Sequence, residues 1–569
     1  MSVLVAKELS SVLGSRLTIG RINIGLLNRI IIDDLMLNDQ SGKELLKVGR
    51  LSAKFEILPL FNGRISIGNV QLFSFNANLE KPTPQATSNF QFVLDAFASK
   101  DTVKKKSNLD LRINSLLIRR GRVSYDVLSA ERTPGKFNPQ HIRLSNILAN
   151  ISLKALQSDS INAAIKRMSV EEDHSGFELK KLSLKIVANN KKMWIDNFAI
   201  DLPNTSLAMD TIRMEYDSLE AFGNFANDVR FSFHMLPSAV ALQDLSAFVP
   251  AFKPFRETLQ LEMKADGTVN QLNCPKLQIS ADNHFLLKGD VSLQDLSHPQ
   301  DAYIFGNLSN LYADPEGITF FVRNLSKDYK GVPPVLQHLG TVSFRGEISG
   351  YFTDLVTYGE VRTDIGTVKT DLKFGSDKEK GYFSYSGAVK TAEFELGKLL
   401  NNDKFGKVTF NMDLKGNHYE KKYPSITMKG LVASIDYSDY TYENITLDGE
   451  YKQGGFNGNV TLDDENGAIQ LNGAINTAGK TPTFNFHAAV SHFRPNALHL
   501  TPKYKDTELS VKIKADFTGS SINDMNGEIN IDSLQYTAPD QNFFMDNLRI
   551  AATQNDEHQK RLTINSNFL

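Results

Sequence analysis

The residues of this chain that could do chemistry are few, and their spacing speaks against it. His487, His492 and His499 are the closest group among the eleven histidines, spread over a strand-like segment and the loop after it. Zinc sites on strands favour ligands two residues apart on one face, and His487 falls on the polar side, opposite Phe486 and Ala488. We read all three as exposed histidines. Asp463-Asp464-Glu465-Asn466-Gly467 has the acidity of a calcium loop without its full spacing or terminal glutamate, and reads as an acidic hairpin turn. Gly473 followed by Gly479-Lys480-Thr481 approaches a phosphate-binding loop. Its loop is too long, and Pro482 and a strand stand where the phosphate-binding helix should begin. Cys274 is the single cysteine, which excludes an internal disulfide, a paired-cysteine redox centre and a multi-cysteine zinc site. Trp194, the sole tryptophan, reads as a packing residue at a strand start. We find neither GxSxG nor GxGxxG. The expectation is a protein that is no enzyme, with no catalytic residue, metal or cofactor.

The elements around these residues are dominated by alternation of period two, the mark of a strand with one apolar and one polar face. Residues 508–517 put Leu509, Val511, Ile513, Ala515 and Phe517 on one side, and Glu508, Ser510, Lys512, Lys514 and Asp516 on the other. Val408, Phe410, Met412 and Leu414 repeat the pattern, as do Phe484, Phe486, Ala488 and Val490, and Leu109, Leu111 and Ile113. Between such segments stand pairs that suit tight hairpin turns: Asn62-Gly63, Asp266-Gly267, Asp448-Gly449, Asn457-Gly458, Asn466-Gly467, Asn472-Gly473 and Asn526-Gly527. Residues 471–476 also fit a strand with a glycine bulge. The spacing suggests a long up-and-down meander.

Helices are expected only at 1–14, 89–100, about 238–248, 332–339 and 391–401, with Pro237, Pro250, Pro254, Pro333 and Pro334 bracketing two of them. The first is amphipathic, with Val5, Leu9, Val12 and Leu13 on one side. Residues 81–88 are the most linker-like, and Lys104–Lys106 reads as a solvated turn. The organisation that follows is a helix over 1–14, a β segment over 15–100 with a helix near 89–100, and a β-groove segment over 101–237. A short helical insert over 238–256, a groove segment over 257–390, a short helix over 391–402 and a final groove segment over 403–569 complete it.

Composition narrows the class. Apolar residues make up 41% and charged residues 22%, which excludes wholesale disorder. With 63 basic against 65 acidic residues there is no cationic excess to displace counterions from phosphates, so nucleic acid is not an expected partner. No apolar stretch reaches the roughly 18 residues of a membrane-crossing helix, and the first residues have too short an apolar core for a secretory signal. The final LTINSNFL stops inside a strand-like pattern, and both ends read as cut from something longer. A one-sided sheet must also have its apolar face covered. About 35 strands of about eight residues, stacked roughly 4.8 Å apart, would curl rather than lie flat. The fold expected is mostly β: an elongated, curled antiparallel sheet forming a groove, with a few short helices. The sequence alone does not separate this gutter from tandem sandwiches.

The opening residues 13–81 resemble the N-terminal region of the TamB (translocation and assembly module) and AsmA-like family, which is similar to the bridge-like lipid-transfer proteins. The order is a helix, then LGSRLTIG, a strand leading into DDLMLND, GKELL, the apolar run at Ile57-Leu58-Pro59-Leu60 and the strand Ile65–Leu72. Segments 235–350 and 391–536 are similar to the larger TamB proteins of the Bacteroidetes type, with their D-L-x-x-F-x-P-x-F helix at Asp244–Phe252 and repeated G-x-I/V strands. The resemblance implies a periplasm-spanning groove that carries phospholipids between the inner and outer membranes. It implies an inner-membrane helix and a C-terminal domain that meets an outer-membrane barrel protein, both expected to lie outside this N-terminal to middle portion. Groove-lining residues on this view are Ile65, Ile67, Val70, Leu72, Leu109, Leu111, Ile113, Val408, Phe410, Met412, Leu414, Phe484, Phe486, Val490, Leu509, Val511, Ile513 and Phe517. The rival expectations are a scaffold for outer-membrane protein insertion and a surface adhesin of tandem sandwiches.

Overall fold

The structure is a computed structural model. It describes residues 2–25, 28–56, 65–97, 109–110, 114–157, 160–298, 301–325, 331–332, 334–377, 381–419, 422–479, 481–521, 524–554 and 560–567. The fold is mostly β, as the alternation requires: 67% strand and about 10% helix, in open, strongly curled, mostly antiparallel sheet. By compactness the chain divides into two units, Met1–Asn283 and His284–Leu569.

In the first unit, helix α1 (Ser2–Leu13) leads into β1 (Leu17–Gly25), β2 (Arg29–Asn38), β3 (Glu44–Glu56) and β4 (Ile65–Lys81), an antiparallel meander. Helix α2 (Gln91–Phe97) and the short β5 (Leu109–Asp110) follow, then β6 (Ser115–Val127) and β7 (His141–Gln157). Next come β8 (Ser160–Glu172), β9 (Phe177–Asn189), β10 (Lys192–Asp201) and β11 (Ser206–Glu215). Helix α3 (Phe225–Asp228), β12 (Arg230–Ala241), β13 (Thr258–Thr268) and β14 (Gln271–Ala281) complete the unit. The meander is broken once: β4 pairs with β6 in parallel, and the connection between them carries α2. A parallel pair needs a long crossover because both strands start at the same rim.

The second unit begins with β15 (Phe285–Gln294), β16 (Tyr303–Ala313), helix α4 (Pro315–Leu325) and helix α5 (Pro334–Gln337). It continues with β17 (Val342–Tyr351), β18 (Asp354–Thr363), β19 (Gly366–Asp377) and β20 (Tyr382–Glu395), then helix α6 (Leu396–Leu400). After these come β21 (Phe405–Tyr419), β22 (Lys422–Tyr437), β23 (Tyr440–Lys452), β24 (Gly455–Asp464) and β25 (Gly467–Asn476). The last strands are β26 (Thr483–Phe493), β27 (Glu508–Thr518), β28 (Asn526–Ala538), β29 (Gln541–Met545), β30 (Leu548–Gln554) and β31 (Lys560–Ser566). All strand pairs from β15 to β31 are antiparallel, and β28 pairs with β29 along one half and β30 along the other. With 31 strands among the described residues, several of them reaching 15 to 17, the strands are fewer and longer than the sequence suggests.

Several local expectations are corrected. Of the six glycine pairs among the described residues, only Asn466-Gly467 closes a hairpin, and Asn526-Gly527 opens a strand. Asp266-Gly267, Asp448-Gly449, Asn457-Gly458 and Asn472-Gly473 lie inside β13, β23, β24 and β25, and Asn62-Gly63 lies outside the described residues. The pairing of β24 with β25 runs without a register shift, so residues 471–476 hold no bulge. Tight turns fall instead on Ser438-Asp439 and Gln453-Gly454, where both residues have positive φ, the geometry that matches strand twist. The helix expected at 238–248 is the end of β12 followed by a 3-10 turn at Leu242–Leu245. Pro237 sits at a register shift in that strand, where no ladder donor is needed. The helix expected at 391–401 shrinks to α6, because β20 runs on to Glu395. On α1 the protein-facing side is Val5, Ala6 and Leu13, while Val12 is exposed and Leu9 partly so. The lysine run 104–106 lies outside the described residues.

Candidate functional site

The candidate site is the apolar face of the sheet. Cross-strand register in the second unit arranges it in rows that run across the strands. One row joins Leu355, Phe374, Tyr385, Gly416, Ile426, Tyr451, Phe456, Ile475, Phe484 and Phe517. Two residues further along each strand lies a row of Leu372, Gly387, Leu414, Met428, Gly449, Gly458, Gly473, Phe486 and Ala515. A third row holds Val389, Met412, Gly430, Leu447, Val460, Leu471, Ala488 and Ile513. The opposite face carries Lys429, Asp448, Asn459, Asn472, His487 and Lys514 in a row of their own.

The glycines of the middle row explain how the rings of the first row are accommodated. A Cβ at Gly449 would lie 2.6 Å from the Phe456 ring, and one at Gly416 would lie 2.2 Å from that of Tyr385. Rings therefore lean over neighbouring glycines, and Gly449, Gly458 and Gly473 on adjacent strands make a recessed floor. Phe484 and Phe517 stack at 4.6 Å, and Phe374 and Phe383 at 6.2 Å. Burial raises the Tyr385 phenol above its ordinary pKa.

The two rims of this unit differ. At one, the connections hold α4 and α5, then α6, then the long loop 494–507. These pack onto the apolar face: α6 residues Leu396 and Leu399 meet the cluster of Ile365, Phe394, Val408, Met412 and Val432. Leu498 in the long loop is fully buried, and its carbonyl accepts the Tyr442 hydroxyl at 2.8 Å. The Tyr440 hydroxyl donates to Asp464 at this rim, and burial, with that carboxylate second, pushes its pKa up to about 12. At the other rim the described connections are short turns or loops without a helix. Exposure follows the same gradient across the face. Val408, Met412 and Val511 are 4%, 8% and 6% exposed, whereas Phe383 and Tyr451 nearer the bare rim are 44% and 46% exposed.

In the first unit the apolar face is mostly aliphatic. Ile30, Ala53, Val70, Leu116, Ile151, Ile165 and Leu184 form one cross-strand row, and Ile186, Ile195, Ile212 and Phe233 another. Most of these side chains are half-buried, as a face without a covering layer would leave them. Helix α1 and residues Phe90, Phe92 and Val93 pack over Leu17, Ile19, Leu37 and Leu45 at one rim. That rim is tied by buried carboxylates. Asp39 accepts from the amides of Ser41 and Lys43, and Glu172 from those of Arg143, His174 and Ser175. For both groups desolvation is the largest single influence and raises the pKa, but the hydrogen bonds together outweigh it and hold the carboxyl below its usual range.

Of the residues read from the sequence, Val70 and Leu72 lie half-buried on the first unit's apolar face, beside Ala53 and Leu51. Val408, Phe410, Met412 and Leu414 share the apolar face of β21, Phe484, Phe486 and Val490 that of β26, and Leu509, Val511, Ile513 and Phe517 that of β27. Ile65 and Ile67 belong to β4 and Leu109 to β5, with side chains outside the described residues, as are Leu111 and Ile113 altogether. Sequence reasoning does not find the glycine floor, Tyr385, Tyr451 or Phe456. The signal for them is an aromatic residue placed directly across from, or diagonal to, a glycine on the neighbouring strand.

The three histidines do not converge. His487 is on the polar face, His492 meets the Asp464 carbonyl at 3.3 Å, and His499 meets the Ser438 carbonyl at 3.3 Å. Asp464 is engaged by the Tyr440 hydroxyl and by the amides of Glu443 and Asn466. Trp194 is half-buried between Val187 and Arg213, on the face opposite Met193 and Ile195. Among the described residues no three His, Cys, Asp or Glu side chains are grouped so as to hold a metal, and no helix is long and apolar enough to cross a membrane. Compared with known proteins, the chain matches no family model, no curated sequence and no solved structure.

Proposed function

We propose that this chain conducts phospholipids along the apolar face of its curled sheet, as part of a conduit between the inner and outer membranes of a bacterial envelope. The observation that carries the reading is the half-exposed state of that face. In the second unit its residues line an open sheet whose middle is left uncovered by helix or second sheet among the described residues. An apolar surface of this extent normally meets a partner, and an acyl chain fits a floor recessed by glycines and walled by rings. Acyl chains lie on the face while headgroups stay in water. Carrying a lipid through water would expose its chains at about 0.8 kcal/mol per methylene, and the groove removes most of that barrier. The resemblance to TamB and AsmA-like proteins supports the same reading, including periplasmic placement, anchorage to the inner membrane and an outer-membrane barrel partner.

The test is photo-crosslinking in cells with a photoreactive residue at Ile513, on the apolar face, or at Lys512, on the polar one. The expected result is phospholipid captured at Ile513 and not at Lys512. Capture at neither position in a folded, correctly located protein would mean that a protein covers this face, and would move the reading to an assembly scaffold.

A further inference from the structure

We infer that lipid in the second unit lies across the groove, with its headgroup over the bare rim and its acyl ends at the helix-packed rim. This rests on the lipid-conduit reading and adds a direction to it. Three independent features agree. The first is the gradient of exposure, from the buried Val408, Met412 and Val511 near the packed rim to the exposed Phe383 and Tyr451 near the other. The packed rim is therefore the dry end of the site. The second is chemistry: Tyr385, Tyr451, Phe456, Phe484 and Phe517 share or adjoin the row next to the bare rim, and tyrosine carries an apolar ring with a polar tip. Aromatic side chains favour the boundary between hydrocarbon and water, where the glycerol and ester part of a lipid also sits.

The third feature is length. From Phe456, in the aromatic row, to the buried Leu462 is six residue steps of one strand, about 20 Å at the rise of an antiparallel strand. A bilayer's hydrocarbon core of about 30 Å holds two chains end to end, so one chain needs about 15 Å and fits that span. The floor between the two rows contains Gly449, Gly458 and Gly473, which leave depth for it. On this arrangement lipids stand side by side along the sheet and enter or leave over the aromatic row. The packed rim is a wall.

The experiment uses the unaltered chain and two phosphatidylcholines, one with a diazirine on the headgroup and one with a diazirine at the end of an acyl chain. After irradiation, labelled peptides are mapped by mass spectrometry. Headgroup label is expected several-fold enriched on peptides covering 351–356 and 449–456, and acyl-end label on those covering 394–400 and 494–500. Reversed or even labelling of the two rims would overturn the orientation while leaving the conduit standing. Labelling of neither rim by either probe would overturn both.

Discussion

At the scale of single residues, the packed rims are tied by polar side chains as well as apolar ones, and the polar ties respond to different perturbations from the apolar lining of the groove. Glu172 is depressed in the folded state by amide donors that outweigh its burial, so its contribution to stability is present above the ordinary carboxylate value of about 4.3. It is lost as pH falls through the lower folded value. Urea midpoints measured against pH should therefore drop on the acid side, and Glu172→Gln should flatten that limb while lowering the midpoint at neutral pH. At Tyr440 the hydroxyl donates to a buried carboxylate. Tyr440→Phe should cost about 1 to 2 kcal/mol in chemical denaturation, because the Asp464 oxygen loses a donor it cannot replace from water. In the groove the apolar alternation could be read from Val511, Ile513 and their neighbours, since a residue's face follows from its parity. Which of them would be buried could not, because parity is blind to distance from a rim: Val511 is buried while Ile513, two residues on, is only half so.

At the scale of elements, the errors of sequence reading have one physical source. Asn-Gly and Asp-Gly permit a turn, but they also permit a strand to pass beneath a ring. At Gly449, Gly458 and Gly473 the packing of Phe456 and Phe486 decides for the strand. Gly473 has φ +140°, and a Cβ there would lie 2.3 Å from the Asn485 carbonyl and 2.5 Å from the Phe486 Cα, both backbone atoms that cannot rotate away. Gly473→Val should destabilise the second unit by more than about 2 kcal/mol, measured by denaturation, with faster hydrogen exchange in β25 and β26. Leu498→Ala should cost about 2 to 5 kcal/mol by opening a cavity under the long loop. Helix α4 is absent from the sequence reading, yet its signal is present. Asp314 accepts from the amides of Glu316 and Gly317, and Pro315 takes the first helical position. The parallel pairing of β4 with β6 had a signal too, in a connection far too long for a hairpin.

At the scale of the whole molecule, fold class was legible because alternation repeated over hundreds of residues leaves little else to build. The choice between gutter and sandwiches was not, since both need the same strands and differ only in what lies across the apolar face. Limited proteolysis distinguishes them in solution. Tandem sandwiches would release stable fragments of roughly 100 residues, whereas sheets in which each strand depends on both neighbours should give either large fragments or none.

That dependence on neighbours alone has an evolutionary reading. Between β15 and β28 each strand pairs with the one before and the one after it, so removing a hairpin brings two strands of unchanged direction together. The stretch can be lengthened or shortened by whole hairpins, each worth about 10 Å of sheet, much as repeat arrays grow by units that touch only their neighbours. A deletion removing β18 and β19, or a duplication of β23 and β24, should fold with the remaining pairings intact. The parallel junction of β4 with β6 has no such freedom, because its partners set off from the same rim. The number of strands in the antiparallel run is in this sense a heritable dimension, adjustable in steps, with one fixed point near the start of the chain.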